Sequence, residues 1–236
     1  MGGAGSDLMR ADRVQKSVPF GAADWPLPDQ AFHLADVENW PAIQRSGLHS
    51  TAALIARDGL RGRAALPFAR YRDGSMRLPS GAVIRDQRPM QPAALLRCLD
   101  DGLTPDDWYR LVNRKVFFWL DVARLNRHLA ACRARPQLVI AVDLRALVAR
   151  HGGRACVTPF NVGNARRRPA SRGHRTFVPL EAWLAGRWAS EAAPGGVPRA
   201  RSHPPAELAI EGAVPDLMAL VVGATQMPPG ARYPGG

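Results

Sequence analysis

The chain has 236 residues, enough for one domain with a well-developed core, since a chain of this size buries roughly 70% of the surface it exposes when unfolded. Hydrophobic residues at 46% and charged residues at 22% are ordinary for a globular protein; they exclude wholesale disorder, collagen-like repetition and a disulfide miniprotein, while 22 glycines and 21 prolines predict many loops. The formal charge of +12 rests almost wholly on arginine, Lys16 and Lys115 being the only lysines among 32 basic residues, and it favours a polyanionic partner.

Residues 1–28 are rich in Gly, Ala and Pro without periodicity and predict a flexible arm. Met1 to Lys16 carries Asp7 and Asp12 and no apolar run, unlike a secretion signal. Order is expected over 29–222 as one domain. Ala31-Phe32-His33-Leu34-Ala35 alternates briefly as a strand. Asn39-Trp40-Pro41 then opens a short helix with Val37, Trp40 and Ile43 at helical spacing, and Gly47 suits its end. Thr51 can cap a second short helix through Ile55 and Ala56. Residues 57–90 carry Gly, Pro and Arg with no clear period and predict an irregular, partly mobile insertion.

Helices follow over Pro92 to Asp101, closed by Gly102, and over Thr104 to Asn113, where Thr104 caps and Asp106 and Asp107 complement the positive helix end. Lys115 to Leu120, bulky throughout, predicts a strand. Asp121 caps a helix to about Arg133 with Leu125, Leu129 and Cys132 inward, and Pro136 breaks it. Leu138 to Val142 and Ala155 to Thr158 predict two more strands, with Asp143 capping a short helix between them. Asn161 to Arg175 reads as a basic loop and Ala189 to Pro204 as a flexible connector. Ala206 to Glu211 alternates, with Leu208 and Ile210 on one face and Glu207, Ala209 and Glu211 on a polar one. Leu217 to Val222 predicts a last strand or short helix, and 223–236 a loose tail. Short strands with irregular links give an α+β class without internal repeats.

Three cysteines, Cys98, Cys132 and Cys156, are too few and too odd for a disulfide framework and suit a reducing, cytoplasmic compartment. No apolar run reaches the roughly 18 residues of a membrane helix. The chain lacks G-x-S-x-G, Walker A and a G-x-G-x-x-G after a strand. His128 and Cys132, four apart on a predicted helix, could share a metal, but two ligands do not complete a site and no metal is expected. From Leu144 to Leu180 there are eight arginines and no acid, which points to nucleic acid or a diphosphate-bearing ligand, with a solvated basic loop as the alternative. Arg166, Arg167, Arg168, Arg172 and Arg175 are the candidate phosphate contacts. His33, before a helix, can hold a ligand through a ring nitrogen or be structural. Glu207 can be a site carboxylate or a solvated one.

Together these residues form a pattern. Phe32-His33-Leu34, Asn39-Trp40-Pro41-Ala42-Ile43 and Gly47-Leu48-His49-Ser50-Thr51 resemble the opening segment of DarT-type and related ADP-ribosyltransferases, except that Leu34 stands where the DarT pattern has a threonine. Val116-Phe117-Phe118-Trp119 is similar to their second, aromatic strand. Pro205-Ala206-Glu207-Leu208-Ala209-Ile210, followed by Val214-Pro215, looks like the late strand bearing their catalytic glutamate. With Arg88-Pro89-Met90, Asp101-Gly102-Leu103-Thr104 and Arg172-Gly173 before Thr176-Phe177, the whole resembles a bacterial domain of unknown function more closely still.

The resemblance implies an ADP-ribosyltransferase-like α+β fold of split mixed or antiparallel sheets with short helices, and NAD as substrate. In it Glu207 would stabilise an oxocarbenium-like state. His33, with Leu34, Ser50 and Thr51, would hold the ribose and nicotinamide side, and Phe117, Phe118 or Trp119 would stack on the leaving ring. Arg85 or Arg88 would be the activating arginine, Arg88 being the catalytic candidate. The implied function is mono-ADP-ribosyl transfer to a macromolecular acceptor, DNA or RNA before protein, by a monomer that does not engage membranes. The alternative is a non-catalytic nucleic-acid-binding domain on the same scaffold.

Overall fold

A computed structural model describes residues 25–132, 135–166, 169–191 and 203–235. In chain order the elements are β1 (Gln30–Asp36), α1 (Trp40–Ser46), β2 (Leu48–His49), α2 (Thr51–Arg57), α3 (Leu66–Ala69), β3 (Met76–Arg77), β4 (Val83–Ile84), α4 (Pro92–Leu96), α5 (Pro105–Asn113) and β5 (Lys115–Trp119). There follow α6 (Val122–Ala131), β6 (Gln137–Asp143), α7 (Leu144–His151), β7 (Ala155–Thr158), β8 (Val178–Pro179), α8 (Leu180–Gly186), β9 (Glu207–Glu211), β10 (Ala213–Val214) and β11 (Val221–Met227). Seven strands form one sheet in the order β11, β6, β1, β5, β9, β7, β8, each antiparallel to its neighbours. The pairs β2–β10 and β3–β4 stand apart from it. The fold is mixed α and β with a large antiparallel sheet and several helices. Among the described residues no helix is long and apolar enough to cross a membrane.

Alternation in β1 sends Ala31 and Ala35 into a core with Phe118, Ile140, Leu144 and Leu208, and sends Phe32 and Leu34 into a second core with Trp119, Val139, Leu125 and Leu129 beneath α6. Both faces of the central sheet are therefore covered, which is why β6 is apolar in consecutive positions. Burial of each such large side chain contributes about 1.5–3 kcal/mol. The helices start where a side-chain oxygen can accept an orphan N–H. Asp121 accepts from Arg124 at 2.7 Å, Asp143 from Ala146 at 2.9 Å, and Thr104 and Asp107 form a capping box.

Several expectations are corrected. Ser50, not Thr51, caps α2, its hydroxyl accepting from the Ala53 N–H at 3.2 Å. The helix after Pro92 ends at Leu96 rather than Asp101. Residues 57–90 are not an irregular insertion: they hold α3 and the β3–β4 hairpin, pack Leu78 and Ile84 against Ile55, and are tied down by buried Arg72, which donates to the Arg85 carbonyl at 3.0 Å and to Asn113 at 3.2 Å. The tail is not loose from Gly223, because β11 runs beside β6 to Met227 and Tyr233 packs on Phe32 while exchanging hydrogen bonds with Asn126. Main-chain pairing holds β11, which has little apolar alternation to betray it. At the ends of the connector, Trp188 is buried and donates to the His203 carbonyl at 2.8 Å, and Glu191 is buried. Residues 192–202 and most of the N-terminal arm lie outside the described residues.

Gly47 ends α1 as expected, with φ +76°. A Cβ there would lie 2.2 Å from the Val214 carbonyl and 2.6 Å from Pro215. Gly47→Ala combines left-handed strain with a backbone clash and is expected to lower unfolding free energy by on the order of 3 kcal/mol, read by urea denaturation. An unchanged midpoint would show that the β2–β10 contact is not needed for the fold.

Candidate active site

The site begins where the sheet parts. β1 is registered with β6 along its whole length but with β5 only at Phe32↔Trp119. Past that pair the two strands separate, and the His33 imidazole replaces the ladder, its Nδ1 lying 2.9 Å from the Phe117 carbonyl. A cavity of about 980 Å³ lies at this parting, lined among others by His33, Phe117, Trp119, His128 and Glu207. Its walls carry eight basic residues against three acids, Asp36, Asp86 and Glu207, so it suits an anionic ligand.

Trp119 is in register with Glu207, and Glu207 with Thr158, so these three and Phe32 share a sheet face. Glu207 is not on a solvated face: it is only 4% exposed, and Leu208, Ala209 and Ile210 after it are fully buried. The backbone from Thr158 to Val162 encloses it. Its Oε2 accepts the Val162 N–H at 3.1 Å and lies 2.9 Å from the Thr158 hydroxyl. That hydroxyl is also 3.0 Å from the Phe160 carbonyl. A hydroxyl has one proton and a carbonyl only accepts, so both contacts are satisfied when Glu207 itself carries a proton and donates to Thr158. When Glu207 ionises, the hydroxyl turns to it. Burial pushes its pKa from 4.5 up to about 7, against the pull of the Val162 N–H, the Thr158 hydroxyl and the charges of Arg124 and Arg172. Among the described residues none bonds Oε1.

His33 is neutral for a similar reason. Burial first, and the charge of Arg85 after it, hold its pKa down to about 4 despite the Phe117 bond. Since that carbonyl only accepts, the ring proton is on Nδ1 and Nε2 keeps its lone pair. His33 lies on the face of Phe118, whose ring is 5.8 Å away, and thus on the opposite face from Glu207. Two strand spacings of about 4.8 Å separate β1 from β9, so a ligand touching both residues must pass through the parting between β1 and β5.

The other predicted residues divide. Leu34, Ser50, Thr51, Phe117, Phe118 and Trp119 all line the cavity, although Ser50 is occupied as a helix cap and Phe118 is fully buried in the core. Arg88 is exposed at the cavity wall and donates to the Asp73 carbonyl, whereas Arg85 reaches inward to His128, Cys132 and Gln137. The Arg85 guanidinium places a cation against His128 and Cys132, where a shared metal would sit. Among the described residues the basic segment does not form one surface patch. Arg166 is exposed at the cavity and Arg175 pairs with Asp101 at 3.2 Å, while Arg167 and Arg168 lie outside the described residues.

Arg172 is corrected outright as a phosphate contact. It is 1% exposed, lies 5.6 Å from the Trp108 ring and 5.0 Å from that of Phe160, and donates to the Val162 and Ala170 carbonyls at 3.2 and 3.1 Å. Arg172→Ala is expected to cost on the order of 3 kcal/mol in a chemical melt through those lost bonds. Unchanged stability would show that this buried guanidinium holds nothing together. Residues not singled out from the sequence include Thr158, Arg124 and Arg127. Arg124 and His128 stand four apart on α6, a polar pair at helical spacing that could have been noticed.

Fold and site thus define an α+β protein in which a buried carboxyl and neutral histidines line one basic cavity at a parted antiparallel sheet. The chain belongs to a family of unknown function (DUF7002), whose model matches residues 29–221. No curated protein and no solved structure matches it.

Proposed function

We propose that the chain is a DarT-like, NAD-dependent mono-ADP-ribosyltransferase that passes ADP-ribose to a macromolecular acceptor, nucleic acid before protein. The observation that carries this reading is Glu207, a carboxyl sequestered from water yet lining the same cavity as His33. In the transfer the bond between ribose and nicotinamide breaks with its electron pair leaving on nicotinamide, the acceptor bonds to the same ribose carbon, and the acceptor loses a proton. Positive charge builds on the ribose, and an ionised carboxylate in a site of low dielectric stabilises it. The His33 lone pair would accept from a ribose hydroxyl, and the excess of basic lining suits the diphosphate.

The test is incubation with labelled NAD and separate pools of DNA, RNA and protein. Nicotinamide release with label on the nucleic-acid pools is expected; no release with any pool, together with no rise in melting temperature on adding NAD, would overturn the reading. A non-catalytic nucleic-acid-binding domain is the second reading. It is favoured by Arg124, Arg127 and Arg166, which line the cavity with no ion-pair partner among the described residues. It predicts salt-sensitive polynucleotide binding, weakened by Arg166→Ala, without nicotinamide release.

A further inference from the structure

Trp119 and His128 fix where one ring proton lies. An indole N–H only donates, and that of Trp119 is 3.1 Å from His128 Nδ1, so Nδ1 accepts and the neutral ring carries its proton on Nε2. Arg85 Nη1 stands 3.5 Å from that Nε2. Both groups are donors. Their approach is therefore not a hydrogen bond but two N–H groups converging with no acceptor between them.

Arg85 is held in this attitude from behind. Its Nη2 donates to Gln137, its Nε lies 3.5 Å from Asp36, and its Nη1 otherwise meets only the Cys132 sulfur, a weak acceptor at 3.4 Å. Asp36 is shared with Arg135 at 3.8 Å, and Arg135 also reaches Asp86 at 3.7 Å, so two guanidiniums share these acids, while Asp36 Oδ2, on the Nε side of Arg85 and away from Nη1, accepts no hydrogen bond among the described residues. Arg124, one helical turn before His128, adds a further cation to the same wall.

We infer that Arg85 Nη1 and His128 Nε2 form a seat for one phosphate group, whose oxygen supplies the missing acceptor. A phosphate oxygen has lone pairs for both donors and a charge that matches the guanidinium. Two sources carry this chemistry, the diphosphate of a dinucleotide and the phosphodiester of a polynucleotide. The seat depends on the transferase reading only for the choice between them.

The test uses the full chain with inorganic pyrophosphate, ADP-ribose and a short oligothymidylate as probes in calorimetric titrations. His128→Phe removes the donor, and His128→Gln restores one. Pyrophosphate affinity is expected to fall by about tenfold in the first, as loss of one charge-assisted bond implies, and to recover in the second. If ADP-ribose follows pyrophosphate and the oligonucleotide does not, the seat holds a dinucleotide; the reverse pattern assigns it to a polynucleotide. In the wild-type chain, nitrogen-detected spectra of the imidazoles should show the His128 Nε2 signal moving on pyrophosphate addition, which keeps the proposal testable if His128→Phe does not fold. No pyrophosphate binding by the wild type, a motionless Nε2 signal, or equal affinity in folded His128→Phe overturns the seat. Pyrophosphate binding without nicotinamide release leaves the seat standing and removes the transferase.

Discussion

Under the proposed transferase reading, Glu207→Gln should slow nicotinamide release from NAD by about a thousandfold, the size of effect seen when one electrostatic contact to a developing charge is removed. Gln keeps the shape of the side chain, and its amide oxygen in the place of Oε2 can accept both the Val162 N–H and the Thr158 hydroxyl, which are the contacts that the ionised carboxylate makes. What it cannot do is become an anion. Loss of turnover with an unaltered circular dichroism spectrum is the expected outcome, whereas a variant with wild-type turnover would show that the carboxylate plays no part in the chemistry. If ionised Glu207 is the working form, turnover by the wild type should also rise with pH through about 7, where its proton is lost.

The same substitution should raise stability at alkaline pH. A carboxyl that holds its proton more tightly in the folded chain contributes stability fully present below its unfolded pKa, and that contribution is lost as pH rises through the folded value. For Glu207 the window runs from 4.5 to about 7, worth roughly 3 kcal/mol. His33 and His128 act in the opposite sense. Their pKa values are lowered from 6.5 to about 4 and about 3, so their contribution is present above 6.5 and lost as pH falls through the lower values. The wild-type curve mixes the two, and the difference between wild type and Glu207→Gln isolates the carboxyl. Chemical denaturation should find the difference between the pair moving in the variant's favour by up to roughly 3 kcal/mol between pH 4.5 and pH 8. A difference that does not change with pH would mean that Glu207 keeps an ordinary proton affinity.

What could be read from the chain alone is what local chemistry decides. The caps Thr104, Asp121 and Asp143 announce their helices because the capping oxygen and the N–H it satisfies are three residues apart. β5 and β6 are evident because bulky residues fill both faces. The polar face of β9 is misleading for the opposite reason: Glu207 is covered by Val162, 45 residues away in sequence, and no periodicity within 206–211 reports such a neighbour. Counting arginines between 144 and 180 correctly marks a basic chain but cannot tell Arg172, packed beside two aromatic rings, from Arg166 at the cavity. Nothing near Arg85 in the sequence announces His128, because their meeting depends on a hairpin whose strands are only two residues long.

The β2–β10 pair, small as it is, gives β9 a second anchor. The Ser50 N–H donates to the Gly212 carbonyl at 2.8 Å just beyond β9, and Lys115 grips Glu211 at 2.6 Å. A slip of the strand by one residue would present Leu208 to the Thr158–Val162 arch and would also tear this outlying pair from its partner. The carboxyl's depth is thus set twice, as a beam is levelled by supports at both ends, and lengthening the chain between 206 and 215 should be far less tolerable than lengthening the loops that border the hairpin.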